Sequence, residues 1–94
     1  MTLEWSSRAL GDLHRFAAFL ENDQPDVAKH IAAALTEKVT PLAVFPELGV
    51  AVSKRRHFRS MVLRVLNGSY VVQYQIIGDI VRVLRVFHAR EDRP

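Results

Sequence analysis

The stretch SMVLRVLNGSYVVQYQIIGDIVRVLRVFH, residues 60–88, decides the fold of this chain. It is rich in Val and Ile, and β-branched residues in runs with a period of two favour strands. Two turn signals divide it: Asn67-Gly68, a strong signal for a two-residue hairpin, and Gly78-Asp79. We therefore predict three consecutive strands at residues 60–66, 70–77 and 80–88, joined by hairpins into an antiparallel sheet.

Upstream of residue 50 the apolar residues recur at the helical spacing of 3.6 instead. Ser6-Ser7 is a capping signal, because a serine oxygen accepts a hydrogen bond from an N–H of the first turn. The first helical stripe consists of Leu10, Leu13, Phe16, Ala17 and Leu20. A second stripe runs from Ala28 to Leu42, and Pro25 suits the first turn of that helix. The linker of about three residues predicts an antiparallel helical hairpin.

Two further segments connect the helices to the sheet. Phe45-Pro46-Glu47-Leu48-Gly49 is typical of a turn, with Gly49 free to adopt a positive φ. Residues 51–53 are predicted to form a short strand, and Lys54-Arg55-Arg56-His57 is predicted to form a basic loop. This loop either contacts phosphate or is only a solvated connection between strands. A short extended segment at Leu3-Glu4-Trp5 gives the element order β-α-α-β-β-β-β. We expect an α+β domain whose helical hairpin covers one face of an antiparallel sheet and leaves the other face open.

Size and composition limit the class of protein. The chain has 94 residues, and 49% of them are apolar, which suits one globular domain spanning residues 1–94. No run approaches the roughly 20 apolar residues that cross a bilayer, and the pattern of a signal peptide is absent. The lack of cysteine excludes disulfides, thiolate nucleophiles and Cys-ligated metals. We therefore expect a cytoplasmic protein without membrane contact.

The charge is divided unevenly along the chain. Residues 1–47 hold four basic and seven acidic groups, whereas residues 48–94 hold nine basic and three acidic groups. The first half therefore carries a formal charge of −3 and the second half +6. Such a division indicates that one surface of the fold meets an anionic partner, such as nucleic acid, an acidic protein or a nucleoprotein assembly.

The arginines of the predicted strands are the leading candidates for that surface. An arginine in mid-strand often pairs with a carboxylate or shields a sheet edge, but several on one small sheet with few acids nearby favour a binding surface. In the last strand, strict alternation places Arg82 and His88 on one face and Arg85 on the other. For His88, a structural role or a partner contact is favoured over that of a general base. The predicted target-binding residues are Arg59, Arg64, Arg82, Arg85, His88 and Arg90.

Motifs for catalysis and metal binding are missing from the sequence. Phosphate loops, nucleophile elbows and dinucleotide-binding fingerprints do not occur. His14, His30 and His57 are scattered over predicted helix and loop without the spacing of a metal site. We expect neither a metal nor another cofactor, and the chain does not look like a self-sufficient enzyme.

Five segments of the sequence form an ordered set of motifs: WSSRALGDL (residues 5–13), FPELG (45–49), Arg59, YVVQY (70–74) and VLRVFHARE (83–91). Together, over nearly the whole chain, they resemble the RelE/ParE toxin superfamily of type II toxin–antitoxin systems. They match the family's opening W-S-x-x-A-x-x-D-L, its P-x-x-G turn, the arginine that opens its third strand, its Y-x-x-x-Y strand and its closing V-L-R-V-x-H-x-R.

The resemblance implies one of two functions. RelE-like members cleave mRNA in the ribosome, whereas ParE-like members are not nucleases and poison DNA gyrase. This chain has Val71 where RelE-like toxins commonly carry an arginine, no tyrosine after Tyr74, and a tail at residues 90–94 similar to ParE-like tails. Val50 also stands where an arginine is frequent in both groups. We therefore predict a gyrase-inhibiting toxin without catalytic residues. Ribosome-dependent mRNA cleavage is the alternative, with the catalytic residues Arg59, Arg85 and His88.

The resemblance also implies a partner. Toxins of this superfamily are neutralised by a cognate antitoxin whose C-terminal segment wraps the toxin, so we expect a hetero-oligomer with a ParD-like antitoxin. The first helix carries more apolar residues than one buried face requires, which predicts a groove for a partner helix. The alternative is that these residues only widen the contact with the second helix. The predicted antitoxin-binding residues are Leu13, Phe16, Ala17, Phe19 and Leu20.

Overall fold

The computed structural model describes residues 1–21, 25–52, 54–65 and 68–89, and their side chains except at 16–21, 25–29, 55 and 56. The predicted α+β class and element order are confirmed. Within the described ranges neither helix is long and apolar enough to span a membrane. The elements are β1 (Thr2–Trp5), α1 (Ser7–Glu21), α2 (Pro25–Val39), the 3-10 turn η1 (Thr40–Ala43), β2 (Val50–Val52), β3 (Arg55–Val65), β4 (Gly68–Ile77) and β5 (Ile80–His88).

The five strands form one sheet in the order β1-β5-β4-β3-β2. Strands β2 to β5 are antiparallel, as predicted. β1 joins the sheet edge in parallel with β5, with Trp5 opposite Val83, so the sheet as a whole is mixed. The parallel direction brings the end of β1 to the middle of β5, where the N–H of Ser6 donates to the carbonyl of Val83 at 2.9 Å. α1 therefore starts beside β5 and packs on that strand.

α1 and α2 pack against each other and against one face of the sheet. Leu10, which the helical stripe assigns to the core, is instead 46% exposed, while its neighbour Ala9 is fully buried. Ala9 and Asp12 are three residues apart and share a face of α1, and both are buried. The largest fully buried side chains of the core are Tyr74, Leu35, Leu42, Val39, Val72, Val81, Val83 and Val86.

The hairpin between β2 and β3 is tighter than predicted. Val52 pairs with Arg55, so most of the segment predicted as a basic loop belongs to the 11-residue strand β3. That prediction is wrong because the register shifts between Ala51 and Val52, which lets pairing begin earlier. The predicted turn at Gly78-Asp79 is confirmed, with Gly78 at a φ of 56°. Asn67, of the other predicted turn, lies outside the described residues.

A β-bulge in β5 changes which face of the sheet its later side chains occupy. The pairing with β4 passes from Val83 to Arg85 and leaves Leu84 as an extra residue. Because alternation is interrupted there, Arg85 comes to the same face of the sheet as Arg82, and His88 comes to the other face. The predicted strict alternation, which put Arg82 and His88 together, is therefore wrong.

Candidate functional site

The residues predicted to bind the target do not form one surface. We call the face that packs on α1 and α2 the helix-facing side, and the opposite one the open face. The register of β3 and β5 with β4, together with the alternation of side chains along each strand, assigns the predicted residues to these faces. Arg90 lies outside the described residues. The open face carries Arg64, Arg82 and Arg85; the helix-facing side carries Arg59 and His88.

Tyr74 fixes the turn between η1 and β2. Its buried hydroxyl donates to the carbonyl of Pro46 at 2.6 Å and accepts from the N–H of Gly49 at 2.8 Å. Gly49 is required for space: a Cβ there would lie 2.7 Å from the Tyr74 hydroxyl and 2.8 Å from the carbonyl oxygen of Ser60. The positive φ predicted for Gly49 does not occur. Burial raises the pKa of Tyr74 above 10.0, although the Gly49 hydrogen bond and the charge of Arg59 oppose this shift.

Arg59 secures the same turn from β3. One terminal nitrogen donates to the carbonyl of Gly49 at 2.6 Å and, more weakly, to that of Glu47 at 3.4 Å. Its Nε is buried and has no hydrogen-bond partner within the described part of the chain. The guanidinium is thus engaged by backbone carbonyls of its own chain. Arg59 therefore acts primarily to shape the turn. This geometry argues against the direct target contact that was predicted for Arg59.

An open cleft of about 540 Å³ lies beside this turn. It combines one carboxylate, one guanidinium and one imidazole with two apolar side chains. Such a mixed set of charges differs from the continuous basic groove that follows a nucleic-acid backbone. The lining residues are Glu47, Ala51, His57, Arg59 and Ile76.

Asp12 is the buried carboxylate that holds α1 on the sheet. It accepts a hydrogen bond from the N–H of Val86 at 2.8 Å and another from Nε of Arg85 at 3.0 Å. The side chains of Asp12 and Arg85 are only 7% and 15% exposed. Arg15, one turn along α1, adds a weaker ion pair at 3.6 Å. Arg85 is therefore engaged within the fold, which argues against the target-binding and catalytic roles predicted for it.

Ser6 makes the second tie between α1 and β5. Its hydroxyl accepts from the N–H of Ala9 at 3.0 Å, so the predicted cap of the first helix is confirmed. The same hydroxyl donates to the carbonyl of the bulge residue Leu84 at 3.0 Å. Beyond the end of β1, backbone groups of β5 are thus satisfied by side chains of α1 and its cap, and this part of the strand edge is covered.

The remaining predicted residues differ in their availability. His88 is half-buried, and its ring meets that of Tyr70 edge-on at a centroid distance of 5.1 Å. Arg82 pairs with Glu4 of β1 at 3.0 Å, with both side chains 42% exposed. The side chain of Arg64 is exposed and makes no hydrogen bond or ion pair within the residues that the structure describes. Among the described members of the predicted set, Arg64 is therefore the most available.

The predicted antitoxin-binding groove falls largely outside the side chains that are described. Of that set Leu13 is described; it is half-buried and packs against the core. Leu10 presents the exposed apolar surface of α1 instead. The side chains outside the description are those of Phe16, Ala17, Phe19 and Leu20.

Comparison with known proteins identifies the family of this chain. A family model described as the ParE toxin of the type II toxin–antitoxin system, parDE, matches residues 3–93. The chain belongs to the ParE toxin family. It is therefore the toxin component of a type II toxin–antitoxin system, and membership of this family implies an antitoxin as its partner. The predicted resemblance to the RelE/ParE superfamily is confirmed.

Two relatives of this ParE-family toxin are themselves named as toxins. The putative toxin Y4kP of Sinorhizobium fredii is 33% identical over 92 residues, which cover 98% of this chain and 92% of the relative. Toxin RelE1 of Caulobacter vibrioides is 27% identical over 88 residues, covering 94% of this chain and 92% of the relative.

Solved structures show the same fold. The chromosomal ParDE system from P. aeruginosa matches with a TM-score of 0.75 at 21% identity, over 94% of this chain and 95% of that one. A mutant of E. coli toxin RelE in the free state matches with a TM-score of 0.65 at 18% identity, over 95% and 83%. Because both branches share the fold, the target of this ParE-family toxin has to be argued from its own site.

Three residues that organise the site, Ser6, Asp12 and Tyr74, were not predicted as site residues from the sequence. Asp12 and Tyr74 are fixed positions of the family segments, and an acidic residue on the buried side of an apolar helix is itself a signal. A carboxylate there needs a donor from another element, since an unpaired buried charge is costly. The signal identifies the residue but not its partner.

Proposed function

We propose that this toxin inhibits DNA gyrase and is not a nuclease, that it acts in the cytoplasm, and that a ParD-like antitoxin holds it in a hetero-oligomer. The family model that matches the chain is that of the ParE toxin, and a gyrase target is what the resemblance to ParE-like members implies. Family membership is one support. The second is that Arg59, Arg85 and His88, the residues predicted for RNA cleavage, are not assembled in one site.

The observation that carries the proposal is the separation of the three residues that a RelE-like mechanism would require. Cleavage by attack of the 2′-hydroxyl needs a base, an acid and a stabilised phosphorane within one site. Arg59 is in register with Tyr74 of β4, and His88 with Tyr70, so they differ by four residues along that strand, or about 13 Å. Arg85 lies on the opposite face and is bound to a carboxylate of α1. These positions support a function that depends on binding.

Ribosome-dependent mRNA cleavage is the second candidate function, and one observation favours it. The cleft beside the turn brings His57 together with Arg59. An imidazole can act as a general base near neutral pH, and a guanidinium can stabilise a charged phosphorane. In this version of the alternative, His57 takes the role that the sequence assigned to His88.

Two assays with the purified toxin separate the candidates. In the first, gyrase supercoils a relaxed plasmid; in the second, a defined mRNA is translated in a reconstituted system. We expect loss of supercoiling and intact mRNA, with supercoiling restored by prior addition of antitoxin. His57→Gln is the informative variant, because it should leave gyrase inhibition unchanged and would abolish cleavage if the toxin were a nuclease. Cleaved mRNA with normal supercoiling would overturn the proposal.

We place the antitoxin contact on α1 around Leu10 and Leu13. A ligand that binds only the folded toxin raises its melting temperature by mass action. Leu10→Asp should reduce this rise, because it puts a charge on the exposed apolar surface of α1. Val44→Asp is the matched control, since Val44 is 71% exposed and lies outside α1. An equal rise for the wild type and Leu10→Asp would remove Leu10 from the interface.

A further inference from the structure

The open face of the sheet combines exposed aliphatic side chains with an arginine that has no partner in the described part of the chain. Val50 and Val62 are 75% and 63% exposed. Arg64 follows Val62 by two residues on β3 and therefore shares its face. Val50 pairs with Ser60, which makes it the diagonal neighbour of Val62 across β2 and β3. Val50, Val62 and Arg64 thus form one surface, which we call the β2–β3 patch.

The β2–β3 patch is held rigidly by the sheet. β3 is hydrogen-bonded to β4 along the patch, and up to Ser60 it is also paired with β2 on its other side. Val62 pairs with Val71 and Arg64 with Ser69, so the backbone beneath the patch is fixed by ladder pairing. A partner that docks there does not have to order a loop, which removes one of the usual costs of association.

The charges around the β2–β3 patch indicate the chemistry of its partner. The strands contain a single acidic residue, Glu4, and it is already paired with Arg82. Arg64 is therefore left with an unbalanced positive charge beside two aliphatic side chains. An acidic group on the partner would complement Arg64, and an apolar surface would cover the valines.

This composition favours a protein over a nucleic acid. Protein interfaces are enriched in arginine next to apolar side chains, and an arginine that becomes desolvated there often contributes strongly to affinity. A nucleic-acid surface needs several phosphate contacts along a track, or aromatic side chains on which bases stack. The β2–β3 patch offers one cation and two valines, which fit neither requirement.

We infer that the β2–β3 patch is the surface with which this toxin grips its protein target, at an apolar site that carries an Asp or Glu carboxylate for Arg64. The inference rests on the proposed function insofar as the target is a protein. It keeps Arg64 of the predicted target-binding residues, adds Val50 and Val62, and so places the contact on the side of the sheet formed by β2 and β3.

The test uses two disruptive variants and two matched controls in the full chain. Val62→Asp and Arg64→Glu change the patch, whereas Val44→Asp and Arg8→Glu make the same chemical changes at exposed positions elsewhere. We expect each patch variant to require at least about tenfold more toxin for half-inhibition of supercoiling, and the controls to stay within about twofold of the wild type. Circular dichroism and the antitoxin-induced rise in melting temperature verify that each variant is folded. If Val62→Asp misfolds, it is replaced by Val62→Thr, which keeps the β-branched side chain.

Each outcome bears on the inference. If the wild type inhibits gyrase and the patch variants inhibit it equally well, the patch is not the target contact, although gyrase remains the target. If the wild type leaves gyrase unaffected, the proposed function fails, and growth arrest on expression of the toxin then tests the patch. Growth arrest by folded Arg64→Glu and Val62→Asp overturns the role of the patch, whereas normal growth of cells that express these variants supports it. If Arg64→Glu instead weakens binding to naked DNA or RNA and lowers the salt slope by about one, the protein target is overturned.

Discussion

The hydroxyl of Tyr74, at the centre of β4, accepts a hydrogen bond from the backbone N–H of Gly49 at 2.8 Å. It also donates to the carbonyl of Pro46 at 2.6 Å, so one buried side chain satisfies a donor and an acceptor of the same turn. Gly49 directly precedes Val50, the first residue of β2. The position of β2 at the sheet edge, and of Val50 on the open face, therefore depends on a tyrosine that lies on the helix-facing side.

Replacement of Tyr74 by phenylalanine should destabilise the fold while preserving its shape. The ring still fills its place in the core, but the N–H of Gly49 and the carbonyl of Pro46 lose their partner. Because leaving buried polar groups unsatisfied is costly, we expect a loss of about 2–3 kcal/mol in the free energy of unfolding. Urea unfolding of the wild type and Tyr74→Phe measures it, and a loss below about 0.5 kcal/mol would mean that water replaces the hydroxyl without cost.

Stability should also fall at alkaline pH because of the same hydroxyl. Burial holds the pKa of Tyr74 above 10.0 in the folded state, whereas in the unfolded chain it returns to about 10. Between these two values the folded state keeps a proton that the unfolded state has lost. The stability contributed by neutral Tyr74 is therefore complete below about pH 10 and decreases as the pH rises through that window.

The measurement compares the pH dependence of two proteins. Urea midpoints are determined from about pH 9 to about pH 11 for the wild type and Tyr74→Phe. The two proteins share every other titratable group, so the difference in slope isolates Tyr74. A steeper decline is expected for the wild type, and parallel curves would show that the hydroxyl does not titrate in this range.

An alanine at position 49 tests the close packing of the turn. Its Cβ would lie 2.7 Å from the Tyr74 hydroxyl and 2.8 Å from the carbonyl of Ser60, so we expect a loss of about 1–3 kcal/mol. Gly11→Ala is the control, because a Cβ there meets nothing within 4 Å and should stabilise α1 by about 0.5–1 kcal/mol. Combining Gly49→Ala with Tyr74→Phe should cost less than the sum of the two, since one clashing atom is removed. Strict additivity would count against a direct contact.

Periodicity predicted β4 and β5 well because their signals are local. The bounds of β5 match the predicted ones, and the turn at Gly78 ends β4 where expected. The bulge at Leu84 was not predictable from periodicity, because every residue from Ile80 to Phe87 is compatible with a regular strand. Its position depends on pairing with β4 and on the hydroxyl of Ser6, which accommodates the displaced carbonyl. One inserted residue was enough to reverse the face assigned to Arg85.

The candidate site was predicted in residue type but not in geometry. Net charge directed attention to the strand arginines, yet whether an arginine is available depends on acceptors supplied by other elements. Arg59 finds the carbonyl of Gly49 at a sequence separation of 10, and Arg85 finds Asp12 at a separation of 73. Neither pairing can be recognised from the local sequence pattern. Arg64 remained a candidate because the structure brings no acceptor to it within the described residues.

Removal of one charge should cost much more at Asp12 than at Glu4. Asp12→Asn leaves Arg85, which is 15% exposed, without the charge that compensates it, so we expect a loss of about 2–4 kcal/mol in the free energy of unfolding. Glu4→Gln makes the same change opposite Arg82, but both side chains of that pair are 42% exposed, and the expected loss is below about 1 kcal/mol. Urea unfolding measures both, and Asp12→Asn combined with Arg85→Met should recover part of the loss because the uncompensated cation is gone. Equal costs at the two sites would show that Asp12 does not hold α1 on β5 through its charge.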